Sequence, residues 1–153
     1  MKTSNKKFVG VWKLKEWTAE LNNGQTVFPF GEDAKGQITY DEKDNMAVQI
    51  MKNNIPQFLS EDPLKAQPEE MIIAYDGFIA YCGYYEVNLN SNQVVHQIEI
   101  SSFPNWVGQN QIRYYEFKGD KLILSTDLIG SSRHTLIWEK MRTGRLISSE
   151  ETI

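Results

Sequence analysis

Residues 111–118 (QIRYYEFK), the pair Gly119-Asp120 and residues 121–127 (KLILSTD) are the stretch whose reading decides the fold. Both runs are rich in β-branched and aromatic residues, and Gly-Asp between them is a two-residue turn, so the stretch predicts a β-hairpin. Moving outward, residues 93–101 (QVVHQIEIS) and 81–88 (YCGYYEVN) precede it, and residues 134–141 (HTLIWEKM) follow it. Farther upstream, 36–40 (GQITY) and 46–51 (MAVQIM) flank a polar turn at 41–45. Residues 25–30 lie between the turn signal Asn22-Asn23-Gly24 and the stop at Pro29 and Gly31. The first run, 10–21 (GVWKLKEWTAEL), changes phase: Trp12 and Leu14 share one face, then Trp17, Ala19 and Leu21 carry the apolar set. A one-residue phase change within a strand predicts a bulge, a device that bends strands to close barrels. About nine short strands in hairpin succession predict an all-β fold, an antiparallel up-and-down barrel of about 8–10 strands.

Residues 53–80 break the pattern. Asp62-Pro63 and Pro68-Glu69-Glu70 are helix-start signals, and Met71, Ile72, Tyr75, Phe78 and Ile79 fall on one helical stripe. A helical insertion at about 62–79 is therefore expected to cover one end of the barrel, as a fixed plug or as a lid.

The chain has 153 residues, enough for one domain, expected over 1–141 with a polar tail at 142–153. One cysteine, Cys82, excludes a disulfide framework, a Cys-rich zinc site and an iron–sulfur cluster. Two histidines, His96 and His134, could hold a metal only with carboxylate help, so neither a metal nor a cofactor is expected. A net charge of −4 argues against a nucleic-acid partner. No apolar run follows the basic residues at the amino terminus, and none approaches the length of a membrane span, so a cytoplasmic protein is expected.

Several ordered motifs resemble a known family. Gly10-Val11-Trp12 resembles the G-x-W element of lipocalins, and the rest resembles bacterial and fungal lipocalin-like domains. The matching elements include Gly36-x-Ile38-x-Tyr40, Tyr81-Cys-Gly83-x-Tyr85-Glu-Val87, Val94-Val-His96-x-Ile98-Glu99 and Pro104-Asn105-Trp106. Gln111-x-Arg113, Gly119-Asp120-x-Leu122 and Leu136-x-Trp138-Glu139-Lys140 complete the set. The resemblance implies a calycin-type β-barrel. Such chains commonly end the last strand with an arginine over the first-strand tryptophan; here Lys140 stands in that place and can offer Trp12 a cation–π contact without planar stacking.

Strand parity assigns the interior, because alternate residues share a face. Tyr81, Gly83, Tyr85 and Val87 face one way, and Cys82 the other. Val94, His96, Ile98 and Ile100 form the apolar face of the next strand. The Arg113 face, with Tyr115 and Phe117, is taken as inward, since Glu116 and Lys118 opposite suit solvent. Leu122, Leu124, His134, Leu136 and Trp138 follow inward. The expected ligand-binding residues are Tyr85, His96, Arg113, Tyr115 and Trp138, with Glu16 as a further polar candidate. An inward Arg113 needs a partner, either a protein carboxylate or an anionic ligand group. His96 is either a hydrogen-bonded core residue or a ligand-contacting and proton-transferring one. Trp106 either anchors its loop across the rim or forms part of the cavity mouth.

Three readings of function follow. The first is a non-catalytic barrel that binds a small hydrophobic or weakly acidic ligand. The second is a cofactor-free isomerase or cyclase in which His96 moves a proton and Arg113 stabilises an enolate or carboxylate. The third is a structural domain with a filled core.

Overall fold

The alternating segments fold as antiparallel strands in a computed structural model that describes residues 5–142. In chain order they are β1 (Gly10–Leu21), β2 (Thr26–Val27), β3 (Lys35–Tyr40), β4 (Asn45–Met51), β5 (Phe78–Asn88), β6 (Gln93–Ser101), β7 (Asn110–Lys118), β8 (Lys121–Ser125) and β9 (Ser132–Lys140). From β3 to β9 each strand pairs with its neighbour in sequence. β1 pairs with β3 through Gly10↔Tyr40 to Lys13↔Gln37, and with β9 from Trp12↔Lys140 to Leu21↔Ser132. These two ladders close an eight-strand barrel, and β2 adds only Ala19↔Val27 and Glu20↔Thr26 at the far end of β1. The strand expected at 25–30 is thus two residues long. Beyond it the chain turns, and Phe30 packs on Trp17 with ring centroids 4.7 Å apart.

The phase change expected in the first strand is a bulge: Leu14 pairs with Trp138 and Glu16 with Ile137, leaving Lys15 unmatched. Trp12 and Ala19 are buried on either side of it. The bulge also turns Glu16 outward, which corrects its assignment to the interior; it is exposed. A second bulge was not anticipated. Cys82 pairs with Ile100 but Gly83 pairs with Ile98, so Glu99 is extra in β6. Past Glu99 the faces exchange, and Ile100 is 68% exposed rather than inward. Gly83 permits this second bulge, because a Cβ there would sit 2.0 Å from the Gln97 carbonyl oxygen.

The inserted helix α1 (Pro68–Asp76) is shorter than the expected 62–79. Glu70 caps it: one carboxylate oxygen accepts from the Gln67 N–H at 2.8 Å, and the other accepts from the Leu59 N–H at 2.9 Å. Gly77 ends it, donating to the Ile73 carbonyl at 3.2 Å, and Phe78 and Ile79 belong to β5 instead of a last helical turn. The expected apolar stripe is not buried: Met71, Ile72 and Tyr75 are each more than half exposed. α1 stands at the open end of the barrel without filling it.

The other end is sealed by residues 5–8. Phe8 is buried and meets Tyr40, Tyr115 and Phe117 edge-on, with ring centroids 5.2, 5.0 and 5.0 Å away. The Trp12 indole N–H donates to the Phe8 carbonyl at 2.9 Å. Lys140 lies over the Trp12 ring, its ammonium 5.0 Å from the centroid. Gly10, at φ 140°, leaves room for that lysine stem, since a Cβ would fall 2.7 Å from Lys140 Cε. The polar tail expected beyond Arg142 lies outside the described residues.

Adding a Cβ at position 83 forces backbone against backbone, a form of overpacking. Gly83→Ala is expected to lower the unfolding free energy by about 3 kcal/mol, read from urea denaturation. Cys82→Ser, on the outer face one residue away, is expected to stay within about 1 kcal/mol.

Candidate functional site

Above the aromatic floor lies a cavity of about 340 Å³, within the usual size of a small-molecule site. Its walls are apolar side chains from successive strands, among them Trp17 of β1, Ile38 of β3, Val48 and Ile50 of β4, Leu124 of β8, and Leu136 and Trp138 of β9. Tyr75, Phe78, Phe103 and Trp106 add an aromatic rim. Among the polar groups in the lining are Tyr81, His96, Arg113 and His134.

Of the residues expected to bind a ligand, His96, Arg113 and Trp138 are brought together in this lining. Tyr85 and Tyr115 are not, which corrects their placement at the cavity. Both point inward, but at the sealed end: Tyr85 packs on Tyr40 at 4.7 Å and donates its hydroxyl to the Asp41 carbonyl at 2.8 Å. Tyr115 packs on Phe8 and Phe117. Parity tells which face a side chain takes, but not how far along the barrel axis it lies. Residues 81 and 85 share a face yet stand four positions apart, about 13 Å along an extended strand.

His96 is 1% exposed and engaged at both ring nitrogens. The Tyr40 hydroxyl is 2.7 Å from Nε2 and the Tyr81 hydroxyl 2.8 Å from Nδ1. Burial, and then the nearby Arg113 charge, hold its pKa well below the ordinary 6.5, so the ring is neutral. Burial likewise raises the Tyr40 and Tyr81 hydroxyls above 10.0, with Arg113 pulling both back. Sequence reasoning passed over Tyr40 and Tyr81 as site residues; nothing in one sequence marks two tyrosines on different strands as partners of a third residue.

Arg113 is 7% exposed. One of its guanidinium nitrogens donates to the Ile112 carbonyl at 3.0 Å, and the group stacks by Trp106 with its central carbon 5.8 Å from the ring centroid. Among the described residues no carboxylate forms an ion pair with it. Asp76, also at the cavity, pairs with Lys52 at 3.3 Å. The first of the two partners expected for Arg113, a protein carboxylate, is therefore not found among the described residues. Burying a cation without a counter-charge costs on the order of several kcal/mol, even with hydrogen bonds. Trp106 is thus a wall of the cavity as well as a loop anchor, meeting Tyr81 edge-on at 5.6 Å.

At the other side the Trp17 indole donates to His134 Nδ1 at 2.9 Å. Indole N–H only donates, so Nδ1 is unprotonated and a neutral His134 carries its proton on Nε2. Burial, followed by Arg113, lowers its pKa.

Both histidines favour the neutral ring when folded and have the ordinary value when unfolded. Their contribution to stability is therefore complete above pH 6.5 and is lost as pH falls from there through each lowered folded value. Denaturant midpoints are expected to fall from pH 6.5 towards pH 5, and His134→Gln should flatten that slope. NMR titration should find the His96 ring still neutral at pH 5.5.

Over 107 residues, 63% of this chain and 96% of the relative, the sequence is 35% identical to the 4'-hydroxy-3'-methoxypropiophenone carrier protein ppsC of Aspergillus oryzae. Among solved structures, a de novo designed fluorescence-activating β-barrel is similar over 92% of this chain and 100% of its own, at 12% identity and a TM-score of 0.47. A Schistosoma mansoni fatty acid binding protein in complex with arachidonic acid is similar over 91% of this chain and 99% of its own, at 15% identity and a TM-score of 0.42. The model of the lipocalin-like domain matches residues 9–141, and the chain belongs to that family.

Proposed function

We propose that this barrel binds and carries a small, mainly apolar, weakly acidic molecule. The observation that carries the reading is Arg113: a buried cation with no carboxylate partner among the described residues, in the wall of a mainly apolar cavity of about 340 Å³. An acidic or strongly polarised oxygen on a ligand supplies the missing counter-charge, while the apolar walls hold the rest of the molecule. The insertion 53–80, which sends Tyr75 and Asp76 to the rim, carries five acids and one lysine. That charge disfavours entry of a strong anion and suits a weak acid that arrives neutral. The relative named as a carrier of a phenolic aryl ketone supports the same chemical class.

The isomerase or cyclase reading has less support. Both nitrogens of His96 are engaged by tyrosines, so a proton passing between His96 and a ligand has to travel through Tyr81. A filled structural core does not fit a cavity of this size.

Trp17, Trp106 and Trp138 line the cavity, so ligand entry reports in tryptophan emission. Titration with 4'-hydroxy-3'-methoxypropiophenone or with decanoate is expected to give a saturable change at one site per chain. Arg113→Leu is expected to weaken decanoate binding about tenfold or more, the worth of one charged hydrogen bond. No saturable change with either compound would overturn the proposal.

A further inference from the structure

Tyr40, His96 and Tyr81 form a chain in which the available hydrogens can be counted. A neutral imidazole donates at one nitrogen and accepts at the other. Among the described residues His96 is the only protein group that can accept the proton of either tyrosine hydroxyl, since the Arg113 guanidinium against Tyr81 can only donate. There are two arrangements. In one, Tyr81 donates to Nδ1 and Nε2–H donates to Tyr40, which leaves the Tyr40 proton without an acceptor. Tyr40 is 1% exposed, enclosed by Phe8 and Tyr85, and does not border the cavity, so nothing there can receive that proton. In the other, Tyr40 donates to Nε2 and Nδ1–H donates to the Tyr81 oxygen. The proton left over is then that of Tyr81, which does border the cavity. Burying an unmet donor is costly, so the second arrangement prevails. Tyr81 and Arg113 both pack against the Trp106 ring, at 5.6 and 5.8 Å, and the guanidinium, a donor to the Tyr81 oxygen, occupies a lone pair there and leaves the O–H for the cavity.

We propose that Tyr81 is the specificity-determining donor of this cavity, presenting its O–H next to Arg113 to an acceptor oxygen of the ligand, a carbonyl or an ionised oxygen. Tyr40 and His96 are positioning residues that fix the direction of that proton: Tyr40 lies outside the lining, and His96, though part of it, has both ring nitrogens engaged by the tyrosines. This deepens the carrier reading and rests on it for the identity of the site. The cavity so described offers donors from two adjacent side chains and selects for an oxygen that accepts.

The test has two independent parts. Nitrogen-15 NMR of the wild-type chain reads the His96 tautomer directly. The proton is expected on Nδ1, and finding it on Nε2 overturns the proposal whether or not any ligand binds. The second part compares propiophenone, which has one acceptor oxygen, with propylbenzene, which has none. Tyr81→Phe is expected to weaken propiophenone about fivefold, the worth of one neutral hydrogen bond, and to leave propylbenzene unchanged. Tyr40→Phe, outside the cavity lining, is expected to weaken propiophenone selectively too. Equal loss for both probes in either variant would mark a merely structural role and sink the assignment. Failure of the wild-type chain to bind either probe would count against the carrier reading, and the tautomer alone would then decide the donor direction.

Discussion

Closure of the sheet through β1 is the constraint on which the rest depends. A twelve-residue strand hydrogen-bonds to β3 along its first part and to β9 along nearly its whole length. To serve both it has to bend, and the bulge at Lys15 supplies the bend. Closure removes the exposed edges that an open sheet of this size would present. It also fixes the interior, since about eight strands enclose a space just wide enough for side chains or one small ligand. The bulge then divides that space: Trp12, before it, belongs to the sealed end, and Trp17, after it, belongs to the cavity wall.

The two ends of the barrel differ because different chain segments meet them. At one end Phe8 enters among Tyr40, Tyr85, Tyr115 and Phe117, edge-on to all but Tyr85, whose ring is tilted against it. Such packing leaves no room for a ligand. At the other end α1 lies over the mouth without inserting a side chain deep into it, and the space remains open. The tyrosine–histidine chain runs between the two regions, with Tyr40 in the aromatic floor and Tyr81 in the cavity wall. The sealed end thus acts on the cavity through hydrogen bonds: what Tyr40 can donate decides what Tyr81 has left to offer.

Parity of the strands was legible because the side-chain period of a strand is two and any one-residue slip would invert the faces. Trp12 and Trp138, Val94 and His96, and Leu122 and Leu124 are buried together, and Arg113 points inward while Lys118 does not. The expectation failed where the period was interrupted. Ile100 faces outward because Glu99 is an extra residue, and Glu16 because Lys15 is one. The first interruption was visible as a shift in the apolar pattern of β1. The second was not, since an isoleucine on either face reads as normal alternation. Its sole trace in the sequence is Gly83 across the ladder.

The helix illustrates the opposite error. Met71, Ile72, Tyr75, Phe78 and Ile79 have helical spacing, yet the ladder with β4 takes Phe78 and Ile79 into β5 and Gly77 ends the helix. Periodicity cannot weigh a helical turn against a strand hydrogen-bonded to a partner far away in sequence.

Local sequence therefore determined the strand order, most of the inward faces and the first bulge, because these depend on side-chain period and turn residues. Depth along the barrel axis, and the company each polar group keeps, were settled only by tertiary structure. Tyr81 and Tyr85 are equivalent by parity, yet one reaches His96 and the cavity while the other caps the sealed end. That difference arises from the stagger of the closed sheet and from Phe8 entering it, both of which join residues far apart in the chain.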